Sequence, residues 1–317
     1  MQVIDLETDQ LLYKRVLKLM GNRFEISVVT EHELVANDCI DAAVEEIRRI
    51  ETLLTTYNES SQTCLINKYA GVMPVKVDQE VYDLIERSKR ISDLTQGAFD
   101  ISYGSIDKRL WNFDKTMTAL PDAETAKKMV KLINYKNILL DKEKRTVFLK
   151  QKGMRIGFGG IGKGYAAERA KYILRKRGIE SGIVNAAGDL TTWGNQPGGK
   201  PWTIGISNPD AAAHPFSYLD ISDMAVATSG NYEKFVMIAG KKYSHTIDPK
   251  TGYPVTGIKS VTIISPNAEI ADAMATPVTV MGIEVGLNMI NQVKGVECII
   301  IDDNNKVYVS KNIKITS

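Results

Sequence analysis

Three short stretches of this 317-residue chain hold side chains whose types and spacing could do chemistry. In EIADAMATPVTVMG, Asp272 and Thr276 stand four residues apart. On a helix they share a face and offer a carboxylate and a hydroxyl, both hard oxygen donors of the kind Mg2+ takes. The same spacing also occurs in helices that hold no metal, with the Asp near the N-terminus and the Thr facing the core. KKYSHTIDPKTGYP sets His245 among Ser244, Thr246 and Asp248 where a strand meets a turn, a place that presents side chains to a cleft. Imidazole is the group best matched to proton transfer near neutral pH; a hydrogen-bonded structural histidine is the alternative. His32 and His214 read as surface-loop residues.

The third stretch, GFGGIGKGYAAERA (Gly157 to Ala170), nearly satisfies two phosphate-binding patterns and completes neither. A dinucleotide-binding G-x-G-x-x-G belongs in a parallel strand-loop-helix unit with an acid about 20 residues later. Here an apparent hairpin precedes the loop, and Glu180 and Asp189 fall in a turn and after a strand. A G-x-x-x-x-G-K loop needs Ser or Thr after the lysine to hold magnesium, and Gly164 stands there. Local physics remains: close glycines admit a ligand to the backbone, unpaired N–H groups at a helix start favour an anion, and Lys163 adds charge. Close packing of a strand-to-helix turn would use the same glycines.

The elements that must position these groups alternate along the chain without a linker, repeat or low-complexity tract. Leu11–Leu19 and Phe24–Val29 read as strands joined at MGNR, with Gly21 and Asn22 as hairpin residues. NDCIDAAVEEIRRIETLL carries Ile40, Val44, Ile47 and Leu54 at helical spacing, with Asn37 or Asp38 as N-cap. DQEVYDLIERSKRISDLTQG is a second amphipathic helix closed by Gly97, and a third follows Pro121. NILLDKEKRTVFL reads as a hairpin leading to the glycine loop and a helix over Tyr165–Arg177. Then come the strands GIVNAAGDLTTWG and WTIGIS, a strand pair joined at AGKK, SVTIIS, a helix from Ala268, another near Val285–Val293, and a closing hairpin. Antiparallel hairpins mixed with helices predict an α+β fold in one compact unit.

Composition narrows the class. With 44% hydrophobic and 25% charged residues and a formal charge of +2, the chain is an ordinary globular one with no sign of a nucleic-acid surface. Cys39, Cys64 and Cys298 never form a C-x-x-C pair, so free buried thiols are expected. The N-terminus lacks the pattern of a secretory signal and no stretch is long and apolar enough to span a membrane. Read literally this is a cytoplasmic chain; removal of a signal before residue 1 would instead make it periplasmic or membrane-anchored.

LMGNRFEISVV, LLTTYNESSQTCLIN, GAFDISYG, LWNF, GFGGIGKGYAAERA, NAAGDL, ATSGNYEKF, YSHTIDPKTGYPV and ADAMATPVTVMG together, in this order, resemble the ApbE family of FAD:protein FMN transferases. The resemblance runs from about residue 11 to 312. It implies an ApbE-like α+β fold and Mg2+-dependent cleavage of the FAD diphosphate. FMN would pass through its phosphate to a threonine of an acceptor flavoprotein, within a motif of the kind Asp-Gly-x-Ser/Thr-Gly-Ala/Ser-Thr, and AMP would be released. Carried over by position, it implies Asp272 and Thr276 as metal-binding side chains, with main-chain oxygens of Gly160 and Ala275. Lys163 would meet FAD phosphate; Met20, Tyr57, Ala98, Phe99, Asp100 and Thr246 would line the flavin nucleotide. His245 is the candidate base for the acceptor threonine, with Asp189 next in line. Met20 and Phe99 could equally be core residues. The sequence departs from the family at Gly157, where an acidic residue is common, and Asn58 lies in a segment that bears on transfer against hydrolysis. An FAD pyrophosphatase yielding FMN and AMP, and a flavin-binding protein without turnover, are the competing readings; retention of Lys163, His245, Asp272 and Thr276 weighs against the latter.

Overall fold

The first described elements form a hairpin whose two-residue turn fixes the register of a large sheet. β1 (Leu11–Leu19) and β2 (Asn22–Thr30) pair antiparallel from Leu19 with Asn22 outward. The turn residues are Met20 and Gly21, with φ of 50° and 72°, the left-handed pair that suits the twist of a tight hairpin. The turn thus lies one residue earlier than the sequence reading. Asn22 opens β2 and donates from its side chain to the Met20 carbonyl at 2.8 Å. The computed structural model describes residues 10–107, 109, 118–207, 215–230, 235–244 and 246–313.

Helix α1 (Glu33–Leu54) follows, then α2 (Gln62–Lys68), β3 (Val75–Lys76) and α3 (Gln79–Leu94). The expected cap of α1 is displaced by a turn: His32 occupies the N-cap position. Asn37 and Asp38 instead accept from Arg15 and Arg177, each at 2.7 Å. α4 (Ala123–Val130) is capped by Asp122, which accepts from the N–H groups of Glu124 and Thr125. β4 (Ile138–Asp141) and β5 (Thr146–Leu149) form the anticipated hairpin, to which β3 adds.

α5 (Gly162–Lys176) begins inside the glycine loop. β6 (Ser181–Ala186) and β7 (Asp189–Trp193) divide GIVNAAGDLTTWG at a turn of Ala187 and Gly188, with φ of 57° and 99°. β8 (Trp202–Ser207) pairs with β9 (Pro215–Ile221), β10 (Ala225–Gly230) joins the large sheet beside β7, and β11 (Phe235–Ile238) pairs with β12 (Lys241–Ser244). β13 (Ile258–Ser265), α6 (Ala268–Met281), α7 (Ile283–Ile290), β14 (Glu297–Asp302) and β15 (Val307–Val309) complete the fold.

Eight of these strands form one antiparallel sheet in the order β1-β2-β6-β7-β10-β13-β14-β15. The two-residue period of a strand separates its faces. Ala225, Ala227, Ile263, Cys298 and Ile300 face a core shared with α1, α5 and α6. Their neighbours Val226, Ile264 and Ile299 pack with Trp202, Ile204 and Ile206 of β8 on the opposite face. With both faces covered, the sheet is a rigid floor for α5 and α6, which carry the glycine-loop lysine and the Asp272 pair. Cys39 and Cys298 are buried and Cys64 is partly buried, all three free. No helix among the described residues is long and apolar enough to cross a membrane.

Candidate functional site

The glycine loop is fixed from behind by side chains. Asn67 of α2 donates to the Ile156 carbonyl at 3.0 Å and accepts from its N–H at 2.7 Å. Ser105 likewise bonds both the N–H and the carbonyl of Arg155, at 2.8 and 2.9 Å. Gly157 N–H donates to the Ile101 carbonyl at 2.9 Å. The loop therefore reaches α5 as a braced strap, and no spacing in the sequence announces Asn67 or Ser105 as the braces.

Its glycines serve different ends. A Cβ on Gly164 would lie 2.1 Å from the Ala268 carbonyl oxygen and 2.8 Å from Asp272 Cβ, so this glycine lets α5 and α6 touch. A Cβ on Gly159 would meet nothing within 4 Å, so packing does not require a glycine there. The close-packing reading of the loop holds at Gly164. At Gly157 a Cβ would meet only the Thr56 methyl at 3.8 Å, leaving room for the acidic side chain this chain lacks.

The contact that Gly164 permits creates the site. The N-cap residue of α5, Ile161, offers no side-chain acceptor. The Gly164 N–H is instead taken by Asp272 Oδ2 at 3.0 Å, a carboxylate reaching across from α6. An anion at a helix start is favoured by the peptide dipoles. The other oxygen, Asp272 Oδ1, faces Lys163 Nζ at 3.8 Å. Asp272 is 6% exposed, and burial pushes its pKa up, opposed by the charge of Lys163 and by the backbone N–H groups of Gly164 and Lys163.

Lys163 lies in the first turn of α5, where a cation opposes the helix dipole. Its ammonium is held directly by Asp189, the buried first residue of β7. Two buried carboxylates thus share one lysine. Thr276 follows Asp272 by one turn, half-buried on the same face. The Ala275 carbonyl accepts from the Thr279 hydroxyl at 3.1 Å and is partly engaged. Pro277 has no N–H, so the carbonyl of Ala273 lacks its intrahelical donor.

The walls come from distant parts of the chain. The Phe99 ring edge lies 3.6 Å from where a Gly160 Cβ would stand, and Met20 Cε lies 3.8 Å from that of Gly162. The Thr56 methyl lies 3.8 Å from where a Gly157 Cβ would stand, which brings the segment of Tyr57 and Asn58 near the loop, although Tyr57 itself is 96% exposed. Ala98 and Phe99 are buried, and the Phe99 N–H donates to Thr95 Oγ1 at 3.1 Å. Asp100 has a structural role: its carboxylate accepts from Ser102 N–H at 2.7 Å, Ser102 Oγ at 2.6 Å and Tyr135 N–H at 2.7 Å. Thr246 is buried, and next to it the Ile247 N–H donates to the Tyr103 hydroxyl at 3.1 Å, tying this strand end to the turn after Asp100. His245 lies outside the described residues.

α5 and α6 are held by a chain of ion pairs. Arg87 of α3 grips Glu269 of α6 through two bonds of 2.7 and 3.0 Å, and Glu168 of α5 accepts from the Ala268 N–H at 2.7 Å. Glu46 of α1 bonds Arg49 and, at 2.9 Å, Arg169 of α5; Arg49 continues to Glu80, which also accepts from the Tyr165 hydroxyl.

Among the described residues no three His, Cys, Asp or Glu side chains cluster as a metal cage. The available donors are one oxygen of Asp272, the Thr276 hydroxyl and main-chain carbonyls. Such a sparse hard-oxygen set fits Mg2+, which keeps several waters and is completed by substrate phosphate. Oδ1 of Asp272 already faces a cation, so the residues present fit the ion.

The sequence model of the ApbE family matches residues 20–300, spanning the loop, Asp189 and α6. The chain belongs to the ApbE family. It is 32% identical over 305 residues to a Klebsiella pneumoniae protein named FAD:protein FMN transferase, covering 96% of this chain and 93% of that one. A Treponema pallidum protein of the same name is 29% identical, covering 95% and 87%. The crystal structure of the ApbE protein from Thermotoga maritima superposes with a TM-score of 0.85 at 31% identity, over 95% of this chain and 97% of that one. The ApbE flavin transferase of Vibrio cholerae, 23% identical with a TM-score of 0.83 over 95% and 98%, shares the fold. The α+β architecture of this ApbE protein is thus the family's.

Proposed function

We propose that this ApbE protein transfers FMN from FAD to a threonine hydroxyl of an acceptor flavoprotein, with Mg2+ at Asp272 and Thr276. The observation that carries the reading is the buried Asp272. One of its oxygens caps α5 and the other faces the Lys163 ammonium, one turn before Thr276. Phe99 lies beside Gly160 and Met20 beside Gly162 of the glycine loop, and Lys163 adds a positive charge beside that oxygen.

In the reaction the threonine oxygen attacks the FMN phosphorus of FAD. The bond from that phosphorus to the bridging oxygen breaks, and AMP leaves with that oxygen. His245 accepts the threonine proton. A Mg2+ ion held there would supply Lewis-acid stabilisation of charge on the diphosphate. Lys163 steadies the same oxygens, the braced loop lets them approach its backbone, and Tyr57, Ala98, Phe99, Asp100 and Thr246 form the nucleotide's surroundings. Main-chain oxygens of Gly160 and Ala275 would add to the metal's shell, the latter after yielding its bond from Thr279.

The test is incubation with FAD and Mg2+, with and without a peptide carrying the threonine motif. A flavin-labelled peptide and released AMP support transfer. Free FMN with no labelled peptide assigns hydrolysis instead, and no FMN in either arm overturns turnover.

A further inference from the structure

Lys163 is the only cation placed between Asp189 and Asp272 among the described residues, and it is not shared evenly. Its ammonium is in direct contact with Asp189 and stands 3.8 Å from Asp272 Oδ1. Both carboxylates are buried, with side chains 5% and 8% exposed, whereas the lysine side chain is 26% exposed. The Oδ1 atom that Lys163 faces is the one the capping bond to Gly164 leaves over for a metal.

We infer that Asp189 is a positioning residue that holds Lys163 off Asp272, and that without this restraint Lys163 becomes an internal competitor for the metal site. This rests on the metal reading of Asp272 above. The physical argument is one of charge in a buried place. A lysine ammonium close to a carboxylate in a low-dielectric setting takes the best anion within reach. With Asp189 present that anion is the first residue of β7, and Oδ1 of Asp272 stays available. Were Asp189 neutral, Asp272 would be the remaining buried carboxylate beside the ammonium. A lysine ion pair and a divalent cation cannot occupy the same oxygen. The placement also accounts for a lysine in the first turn of α5: the helix dipole repels it there, and Asp189 offsets that repulsion. A side-chain hydroxyl at residue 164 could have held a metal without help, but contact with Ala268 excludes any side chain at that position.

The test is Mn2+ binding by calorimetry on the full chain, without FAD or acceptor, for wild type, Asp189→Asn, Lys163→Met and the double variant. Asp189→Asn should weaken Mn2+ by about tenfold or more, within the range of couplings measured for groups in contact. Lys163→Met should bind Mn2+ at least as tightly as wild type. The double variant should match Lys163→Met within about threefold, because the effect of Asp189 acts through the lysine. An Asp189→Asn loss that persists without Lys163 overturns the inference and makes Asp189 a direct ligand or a structural residue. Unchanged affinity in Asp189→Asn overturns it too. If Asp189→Asn fails to fold, Lys163→Met decides: weaker Mn2+ binding than wild type refutes competition. Absence of wild-type Mn2+ binding sinks the metal reading itself, whereas wild-type binding with unresponsive variants sinks this inference alone.

Discussion

Gly164 and Asp272 are joined by a single 3.0 Å hydrogen bond between a backbone N–H of α5 and a side chain of α6, and the glycine's missing Cβ is what allows it. Helix packing and the geometry of the proposed metal site are therefore one contact. Gly164→Ala should force the helices apart. The expected cost is about 1–3 kcal/mol, typical of overpacking, read as a lower urea midpoint together with weaker Mn2+ binding. An alanine variant with wild-type values for both would show that α5 and α6 are not in the close contact described.

Asp272 caps α5 and, in the proposed reading, holds the metal, so its replacement must separate the two roles. Asp272→Asn keeps an acceptor for the Gly164 N–H but removes the charge a metal needs. Burial raises the pKa of Asp272, so in the metal-free protein any stability it contributes is present at low pH and lost as pH rises through its folded pKa. At neutral pH in chelator the variant should melt no lower than wild type. The rise in Tm with added Mn2+ should disappear, and turnover with it. Thr276→Val should lose less, since a neutral hydroxyl gives a hard cation less than a carboxylate does. A larger loss at Thr276 would reverse the ranking.

What could be read in the sequence, and what could not, divides by distance along the chain. The pairing of Asp272 with Thr276 is a property of one helix, as are the apolar stripes of α1 and α3, and local periodicity reports them. The Lys163 to Asp189 contact joins a helix start to a strand start, and the capping of α5 by Asp272 crosses 108 positions. No local spacing encodes either. Asn37 and Asp38 misled for a related reason: they have the chemistry of caps, but Arg15 and Arg177 from elsewhere claim them. β9 went unread because its alternation is Phe216, Tyr218 and Asp220 outward, with apolar character on both faces blurring the period.

Acid should unfold the protein partly through Glu46. Its bonds with Arg49, and then Arg169, hold its pKa below the ordinary 4.5. With the folded pKa depressed, its stabilisation is present above the ordinary carboxylate range and lost as pH falls through the folded value. Glu46→Gln should lower stability at neutral pH and flatten the acid limb of a Tm against pH curve. An unchanged slope between pH 5 and 2 would remove Glu46 from the account.

For His245 the expected signature is a split between affinity and rate. His245→Asn should spare FAD and Mn2+ binding and slow transfer by about 100-fold or more, the scale of a general base. The wild-type rate should rise with pH as the imidazole loses its proton, and that limb should vanish in the variant. If binding falls in step with rate and the limb stays, His245 positions the nucleotide. Asp189, engaged by Lys163, is then a poor second choice for the base.

The order in which the chain emerges from a ribosome gives the cross-helix cap a temporal meaning. β2 waits for β6, and β7 for β10, before the sheet can close, a long-range topology that slows folding. Lys163 and Asp189 are synthesised close together, but the carboxylate that caps α5 comes 108 residues after Gly164. At the roughly 5–20 residues per second of translation, that is a delay on the order of 5–20 s. Throughout it the Gly164 N–H lacks the carboxylate that caps it, so on the proposed metal reading of Asp272 metal loading belongs to the finished polypeptide, and a chain that stalls before α6 carries the Lys163–Asp189 ion pair with nothing for it to guard.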